Sequence, residues 1–241
     1  MIRLDHVSFH YSNGPQVLKS ICLSLEKGES VGLVGANGAG KSTLLKLLVG
    51  LVSGFEGEVK VAGLSMDKKN LAGIRAKVGY VFQDSDSQLF NNTVYDEIAF
   101  GPRNYGLSEE EVKKRVDEAM EKTGTAYLKD KPVYQMSGGE KRLVSIATIL
   151  SMEPELILMD EPEAALDPRN RRRLIGLLKG LKPAKLIASH DLDMIMDTCE
   201  RTILMHQGAI VADGPTDKIL RDKELLESHD MELPLRLQNL E

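Results

Sequence analysis

The stretch Gly35-Ala36-Asn37-Gly38-Ala39-Gly40-Lys41-Ser42-Thr43 contains the eight-position pattern G-x-x-x-x-G-K-[ST], from Gly35 to Ser42, without a mismatch. This stretch constrains the fold more than any other. Its three glycines let backbone N–H groups turn inward as an anion nest, and a helix beginning near Lys41 aims its positive dipole end at the same point. The pattern predicts that Lys41 reaches the terminal phosphates of a nucleotide and that the Ser42 hydroxyl serves the Mg²⁺ bridging them. Context supports this over a plain glycine-rich turn. Ser30-Val31-Gly32-Leu33-Val34 is a short apolar run that reads as a buried strand, and Thr43 to Val49 reads as a helix stopped by Gly50.

The rest of the chain can support such a core. A length of 241 residues with 42% apolar composition suits one large domain with an insertion. A net charge of −5 argues against a general nucleic-acid binder. The basic cluster from Arg169 to Arg173 reads as a solvated helix face. Cys22 and Cys199 are widely separated without C-x-x-C spacing, which suggests neither a zinc site nor a disulfide framework and fits a reducing cytoplasm. His6 and His10 share a strand face but lie about 13 Å apart, too far to share one metal. Met1-Ile2-Arg3-Leu4-Asp5 lacks a signal-peptide core, and no apolar run approaches the ~20 residues of a membrane span, so a membrane role must come through a partner.

Ile2, Leu4, Val7, Phe9 and Tyr11 follow period two with one slip between Leu4 and Val7, predicting an opening strand with a bulge. Ser12-Asn13-Gly14-Pro15 is a turn, and Val17 to Glu26 gives a second, antiparallel strand. Gly57 to Val61 and Val78 to Phe82 are further strands joined by an irregular, partly helical link from Met66 to Arg75. Capping patterns at Thr93 to Asp96 and Ser108 to Glu111 open a helical block over about 87–152. Strand signals return at Leu156 to Met159, Lys185 to Ser189, Arg201 to Met205 and Ala209 to Ala212, with a helix between Pro168 and Gly180. Strands alternating with helices imply a mainly parallel sheet. The expected architecture is an α/β P-loop NTPase core, with an N-terminal antiparallel β subdomain, an inserted helical subdomain and a short helical tail over about 216–241 broken at Pro234, all within a single domain over 1–241.

Leu156-Ile157-Leu158-Met159-Asp160-Glu161 is an apolar strand ending in two carboxylates. A parallel strand delivers side chains at its C-terminal edge, where the phosphate loop also lies, so Asp160 is placed for the Mg²⁺ shell. Glu161, one residue on, points differently and is placed to polarise an attacking water as general base. Met136-Ser137-Gly138-Gly139-Glu140 opens another helical pattern, Leu143, Ile146, Ala147 and Leu150. Its exposed N–H groups suit an anion, while an ordinary Ser137 to Glu140 capping box is the competing reading.

With these pieces in order, the chain resembles the ATP-binding cassette ATPases, the motor subunits of ABC transporters, over almost its full length. Gly35 to Thr43 corresponds to the Walker A loop, Gln83 to the Q-loop glutamine, Met136 to Glu140 to the signature, Leu156 to Glu161 to Walker B, Ala165-Leu166-Asp167 to the D-loop and His190 to the switch histidine. The resemblance implies that two such subunits, identical or paralogous, pair head to tail around ATP and Mg²⁺. Asn37, Gly38, Ala39, Gly40, Lys41, Ser42, Thr43 and Asp160 would hold ATP and Mg²⁺ in cis. Ser137, Gly138 and Gly139 would approach the γ-phosphate from the partner, with Ser137 and Gly139 as donors. Gln83 would join Ser42 and Asp160 at the metal. Glu161, His190, Lys41 and Gln83 are the implied catalytic set, and Tyr11 would stack on adenine. Met136, Glu140, Glu163 and Ala165 depart from the usual family residues without removing a catalytic group.

The stretch Gln83 to Phe90, with Ile98-Ala99-Phe100-Gly101-Pro102 after it, resembles the ATPases of energy-coupling factor importers, which include cobalt, nickel and vitamin uptake systems. That resemblance implies an integral membrane coupling protein docked near Asp84 to Phe90, a substrate-binding membrane subunit, and a peripheral position on the cytoplasmic face of the membrane. The cargo is then chosen by another protein. The alternatives are an ATPase of another ABC transporter class and a soluble cassette ATPase acting on nucleic acid or ribosomes; the latter usually carries tandem cassettes or a long coiled-coil insertion, and net acidity argues against it. A small-molecule kinase would leave Ser137 to Glu140 and His190 without a task.

Overall fold

A computed structural model describes residues 1–12, 14–164 and 166–238. The chain divides into two compact units, one of residues 1–78, 155–161 and 182–241, the other of residues 79–154 and 162–181. Among the described residues, no helix is long and apolar enough to cross a membrane.

The first unit holds two sheets. Strands β1 (Ile2–His10) and β2 (Gln16–Leu25) pair antiparallel, β4 (Glu56–Val61) pairs antiparallel on the other side of β1, and β5 (Leu64–Ser65) closes the order β2-β1-β4-β5. This is the expected antiparallel β subdomain. The slip between Leu4 and Val7 is a register shift in both pairings of β1. The second sheet is mainly parallel. β3 (Ser30–Val34) lies between β8 (Ala184–Ala188) and β9 (Arg201–His206), β7 (Leu156–Asp160) lies outside β8, and β10 (Ala209–Pro215), beyond β9, runs antiparallel.

β7 and β8, buried throughout, and β3, buried from Val31 on, have the patterns of strands covered on both faces. Register levels their carboxyl ends, because Ala188 pairs with both Leu33 and Asp160. The loops after all three strands therefore leave from one edge, the place where open α/β sheets bind ligands. Helix α1 (Lys41–Leu48) starts two residues earlier than its apolar pattern suggests, because Gly40 at φ 103 turns the chain directly into it. Leu44, Leu45, Leu47 and Leu48 have no exposed surface, and each contributes about 1.5–3 kcal/mol by its burial. The chain is tied off by Gly50 at φ 66, a left-handed residue just past the helix end.

Helix α2 (Leu71–Arg75) forms within the link to β6 (Val78–Val81). The second unit is built on α3 (Val94–Asn104), α4 (Glu109–Thr123), α5 (Gly138–Leu150) and α6 (Pro168–Gly180). Thr93 caps α3 by accepting from Asp96 N at 3.1 Å, and Ser108 caps α4 by accepting from Glu111 N at 3.3 Å. Val112, Val116, Ala119 and Met120, the positions with helical period, face inward. Arg169, Arg172 and Arg173 lie on the exposed side of α6.

Besides the short strand β5, two features of the first unit are not in the sequence reading. A short helix, α7 (Leu192–Thr198), follows His190 and is capped by the Asp191 carboxylate on Met194 N at 2.8 Å. Strand β10 runs three residues beyond Ala212 because Asp213, Gly214 and Pro215 continue to pair with β9. The tail forms α8 (Thr216–Arg221) and α9 (Lys223–Glu227), then a single turn over Leu235–Leu237 after Pro234. Arg236 fixes that turn to α7 through Asp193 at 2.6 Å and Asp197 at 2.9 Å. Asn13, Ala165 and the last three residues of the expected tail lie outside the described residues.

Candidate nucleotide site

The loop after β3 forms the site's floor. Gly35 at φ 149 admits the Met205 carbonyl, which a Cβ would meet at 2.2 Å, and Gly38 and Gly40 also hold positive φ. Only glycine satisfies Gly35, because conformation and space both exclude a side chain. Lys41 is 6% exposed, and its ammonium donates to Gly35 O at 2.6 Å and Ala36 O at 3.2 Å. The loop thereby curls around the side chain that carries its charge.

The two carboxylates after β7 separate as the strand ends. Asp160 is 3% exposed and accepts from the Ser42 hydroxyl at 2.9 Å, joining the start of α1 to β7. Glu161 leaves the strand at φ 46, a sparsely populated conformation for a residue with a side chain, while its N–H stays on Ala188 O at 2.8 Å. That turn brings Glu161 Oε1 to 2.9 Å from His190 Nε2. His190 Nε2 also lies 3.3 Å from Lys41 Nζ. One ring nitrogen cannot donate to Glu161 and accept from Lys41 at once; the shorter contact assigns Nε2–H to Glu161. Burial and the Lys41 ammonium push the His190 imidazole below its ordinary value, against the opposite pull of Glu161 and Asp160. Its neutral form is the favoured one.

Tyr11 follows β1 and is 46% exposed, with its ring edge-on to Phe9 at 4.9 Å and its hydroxyl 3.2 Å from Thr43 Oγ1. The first unit thus gathers Tyr11, the loop from Asn37 to Thr43, Asp160, Glu161 and His190. Ser42 and Asp160 offer two hard oxygens, one a buried carboxylate, which is the donor set that Mg²⁺ takes. The residues fit that ion.

Gln83, Ser137, Gly138 and Gly139 belong to the second unit. Ser137 caps α5 with the full reciprocal box: its Oγ accepts from Glu140 N at 3.3 Å and its N–H donates to Glu140 Oε2 at 2.7 Å. Burial pushes the Glu140 carboxyl up, but the Ser137 N–H and the Lys131 ammonium together outweigh it and hold it below the usual range. The Ser137 hydroxyl keeps its proton for another acceptor. Gly138 faces open space, whereas Gly139 packs against Asn170, whose Nδ2 would lie 2.5 Å from a Cβ. One glycine leaves room outside, and the other permits close packing inside.

Two residues to which the sequence reading gives no role of their own organise this unit. Arg142 is 2% exposed and donates to Phe82 O at 2.5 Å and to Gln83 O, pinning the glutamine's backbone to α5. Of the two adjacent cations of α5, Lys141 and Arg142, only the second is buried, and position along the chain alone did not tell them apart. Gln88 ties the following loop to the same helix, its Nε2 donating to Ser145 O at 2.7 Å and its Oε1 accepting from Phe82 N at 3.2 Å. The stretch Asp84 to Phe90 is thus fastened at several points.

This fold and site define a P-loop ATPase. The family model described as ABC transporter matches residues 18–164. An ABC transporter ATP-binding protein of Geobacter sulfurreducens is 49% identical, over 95% of this chain and 92% of that protein. The energy-coupling factor transporter ATP-binding protein EcfA of Methanothermobacter thermautotrophicus is 41% identical, over 97% of this chain and 77% of that protein. Among solved structures, cbiO1 of Clostridium perfringens, part of the ABC transporter complex cbiONQ, aligns with a TM-score of 0.84 and 35% identity over 94% of this chain and 93% of that one. The chain belongs to the ABC transporter ATPase family; it is an ATPase that binds ATP.

Proposed function

We propose that the chain is the ATP-hydrolysing subunit of an energy-coupling factor type importer, powering uptake of a transition metal ion, cobalt or nickel, or of a vitamin. The observation that carries the catalytic reading is the convergence of Lys41, the Ser42–Asp160 pair and the Glu161–His190 pair at one sheet edge. The relatives named EcfA and the likeness to cbiO1 support the importer class.

In this reading the amides from Asn37 to Thr43 and the Lys41 ammonium bind the phosphates, and Tyr11 stacks on adenine. Ser42, Asp160 and Gln83 hold Mg²⁺, which when bound neutralises phosphate charge and fixes phosphate geometry. Glu161 accepts the proton of the attacking water. His190, neutral, donates toward the γ-phosphate and holds Glu161 in its strained conformation beforehand. Ser137 and the Gly138 and Gly139 backbone serve the γ-phosphate held by a second ATPase subunit, identical or paralogous. Phosphate then acts as a bond between subunits, and its hydrolysis releases them.

An integral membrane coupling protein docks on the surface from Asp84 to Phe90, where Phe90 is 66% exposed and stacks edge-on against Phe100 at 4.8 Å. Those rings present apolar area beside a loop secured by Arg142 and Gln88. The chain, with a substrate-binding membrane subunit as a further partner, sits on the cytoplasmic face of the membrane. All motifs fall within one ABC ATP-binding domain over 1–241.

Glu161→Gln tests the chemistry. It keeps the side-chain volume and removes the base, so turnover falls at least about a hundredfold while ATP binding persists. Full turnover in that variant rules out Glu161 as base. Purification from native membranes tests the importer: the expected co-purifying species are an integral membrane protein and a bound metal ion or vitamin, and their absence removes the transport reading.

A further inference from the structure

The register of β1 on β2 passes from Leu4 opposite Leu23 to Val7 opposite Ile21. Two residues, Asp5 and His6, therefore face one, Cys22. In a regular strand Asp5 and His6 would point to opposite faces. His6 instead takes φ 48 and absorbs the extra residue, so both side chains are exposed while Leu4 and Val7 remain buried on either side. A bulge of this kind re-aims a side chain. Here it puts an imidazole and a carboxylate beside a thiol: the donor atoms of Asp5, His6 and Cys22 all lie within 4.8 Å of one another, and His6 Nε2 is 3.8 Å from Asp5 Oδ1.

The surroundings orient each donor. Ser20, itself at φ 50, places its hydroxyl 2.9 Å from His6 Nδ1. With Nδ1–H donating to Ser20, Nε2 presents its lone pair toward Asp5, the arrangement that outer partners impose on metal-binding histidines. The His6 N–H donates to Cys22 Sγ at 3.3 Å, which holds the sulfur beside the imidazole. Gly57 makes room for the bulge, since a Cβ there would lie 2.5 Å from His6 O. Asp5 and Cys22 open on a shallow groove of about 330 Å³ that Arg3 and Arg201 also line, so a fourth ligand position has space for water or a small anion.

We propose that Asp5, His6 and Cys22 form a surface site for a divalent metal of the zinc class, separate from the phosphate loop. Tetrahedral coordination at about 2.0–2.3 Å spaces donor atoms by about 3.3–3.8 Å, a closure that rotation of three exposed side chains supplies. Binding deprotonates Cys22, whose proton passes to solvent as the metal–sulfur bond forms. Thiolate and carboxylate then balance the ion's two positive charges. Sulfur and imidazole nitrogen select Zn²⁺, Co²⁺ or Ni²⁺ over Mg²⁺ and Ca²⁺, which take oxygen ligands.

The test is titration of the full-length, nucleotide-free protein with Co²⁺, followed by near-ultraviolet thiolate-to-metal charge transfer. That absorption is specific to this site, because the phosphate loop offers Co²⁺ no sulfur. The expected result is a band saturating at one equivalent and lost on adding Zn²⁺. The band disappears in Cys22→Ser, persists in Cys199→Ser, and needs at least about tenfold more Co²⁺ in His6→Ala and in Asp5→Asn. Cys22→Ser keeps wild-type ATP hydrolysis and thermal midpoint, which separates loss of the metal from loss of the fold. A wild-type protein with no such band, a band that survives Cys22→Ser, or a His6→Ala variant with unchanged affinity overturns the proposal.

Discussion

His190 shows how a single side chain inherits its chemistry from its neighbours. Burial and the Lys41 ammonium make protonation of its ring unfavourable, so the folded chain refuses a proton that the unfolded chain accepts near the ordinary pKa of 6.5. The stability this group contributes is therefore present above 6.5 and drains away as pH falls toward the lower folded value. The imidazole C–H resonance of His190 in the nucleotide-free protein is expected to titrate below 6.5. The unfolding midpoint of wild type is expected to drop more between pH 7 and pH 6 than that of His190→Gln. Titration above 6.5 would contradict the assigned surroundings. Glu161 depends on its setting in a similar way, since its φ of 46 takes it out of the line of β7 and onto His190. An apolar strand ending in two acids announced that they would diverge, but not the partner each would meet.

At the scale of the element, α5 combines features of unequal legibility. The Ser137 and Glu140 box could be read directly, because capping is local and its spacing is fixed by helix geometry. Arg142 could not be placed, because its acceptors, the carbonyls of Phe82 and Gln83, are some sixty positions away in sequence. Arg142→Met removes two charge-assisted bonds and leaves both carbonyls without that donor, an expected loss of about 2–4 kcal/mol. Urea unfolding measures it, and a wild-type midpoint would show that Arg142 does not hold the Gln83 backbone. Helix α7 escaped notice for a different reason. At seven residues it lacks the length for apolar periodicity to show, and its cap, Asp191, lies beside the more conspicuous His190.

For the molecule as a whole, the proposed function places half of each active site on another subunit. Glu161→Gln, which binds ATP without cleaving it, is accordingly expected to run as a dimer on gel filtration with Mg²⁺ and ATP and as a monomer without nucleotide. Adding Ser137→Arg, which puts bulk and charge at the start of α5, should abolish that dimer while leaving ATP binding by a single subunit intact. A double variant that still pairs would remove the signature from the interface.

The amino-acid sequence by itself determined the strand order in time, the phosphate loop, the helix starts at Thr93, Ser108 and Ser137, and the family, because each is written in residues close together along the chain. Tertiary structure decided what met across distance: Ser42 with Asp160, His190 with Glu161, Arg142 with Gln83, and the Asp5, His6 and Cys22 cluster. Those meetings depend on strand register, and register is set by the buried faces of whole sheets rather than by any local signal. The slip between Leu4 and Val7 marks the boundary between the two. Its existence was legible as a break in period two, whereas its consequence, two side chains turned toward one cysteine, exists only where β1 lies against β2.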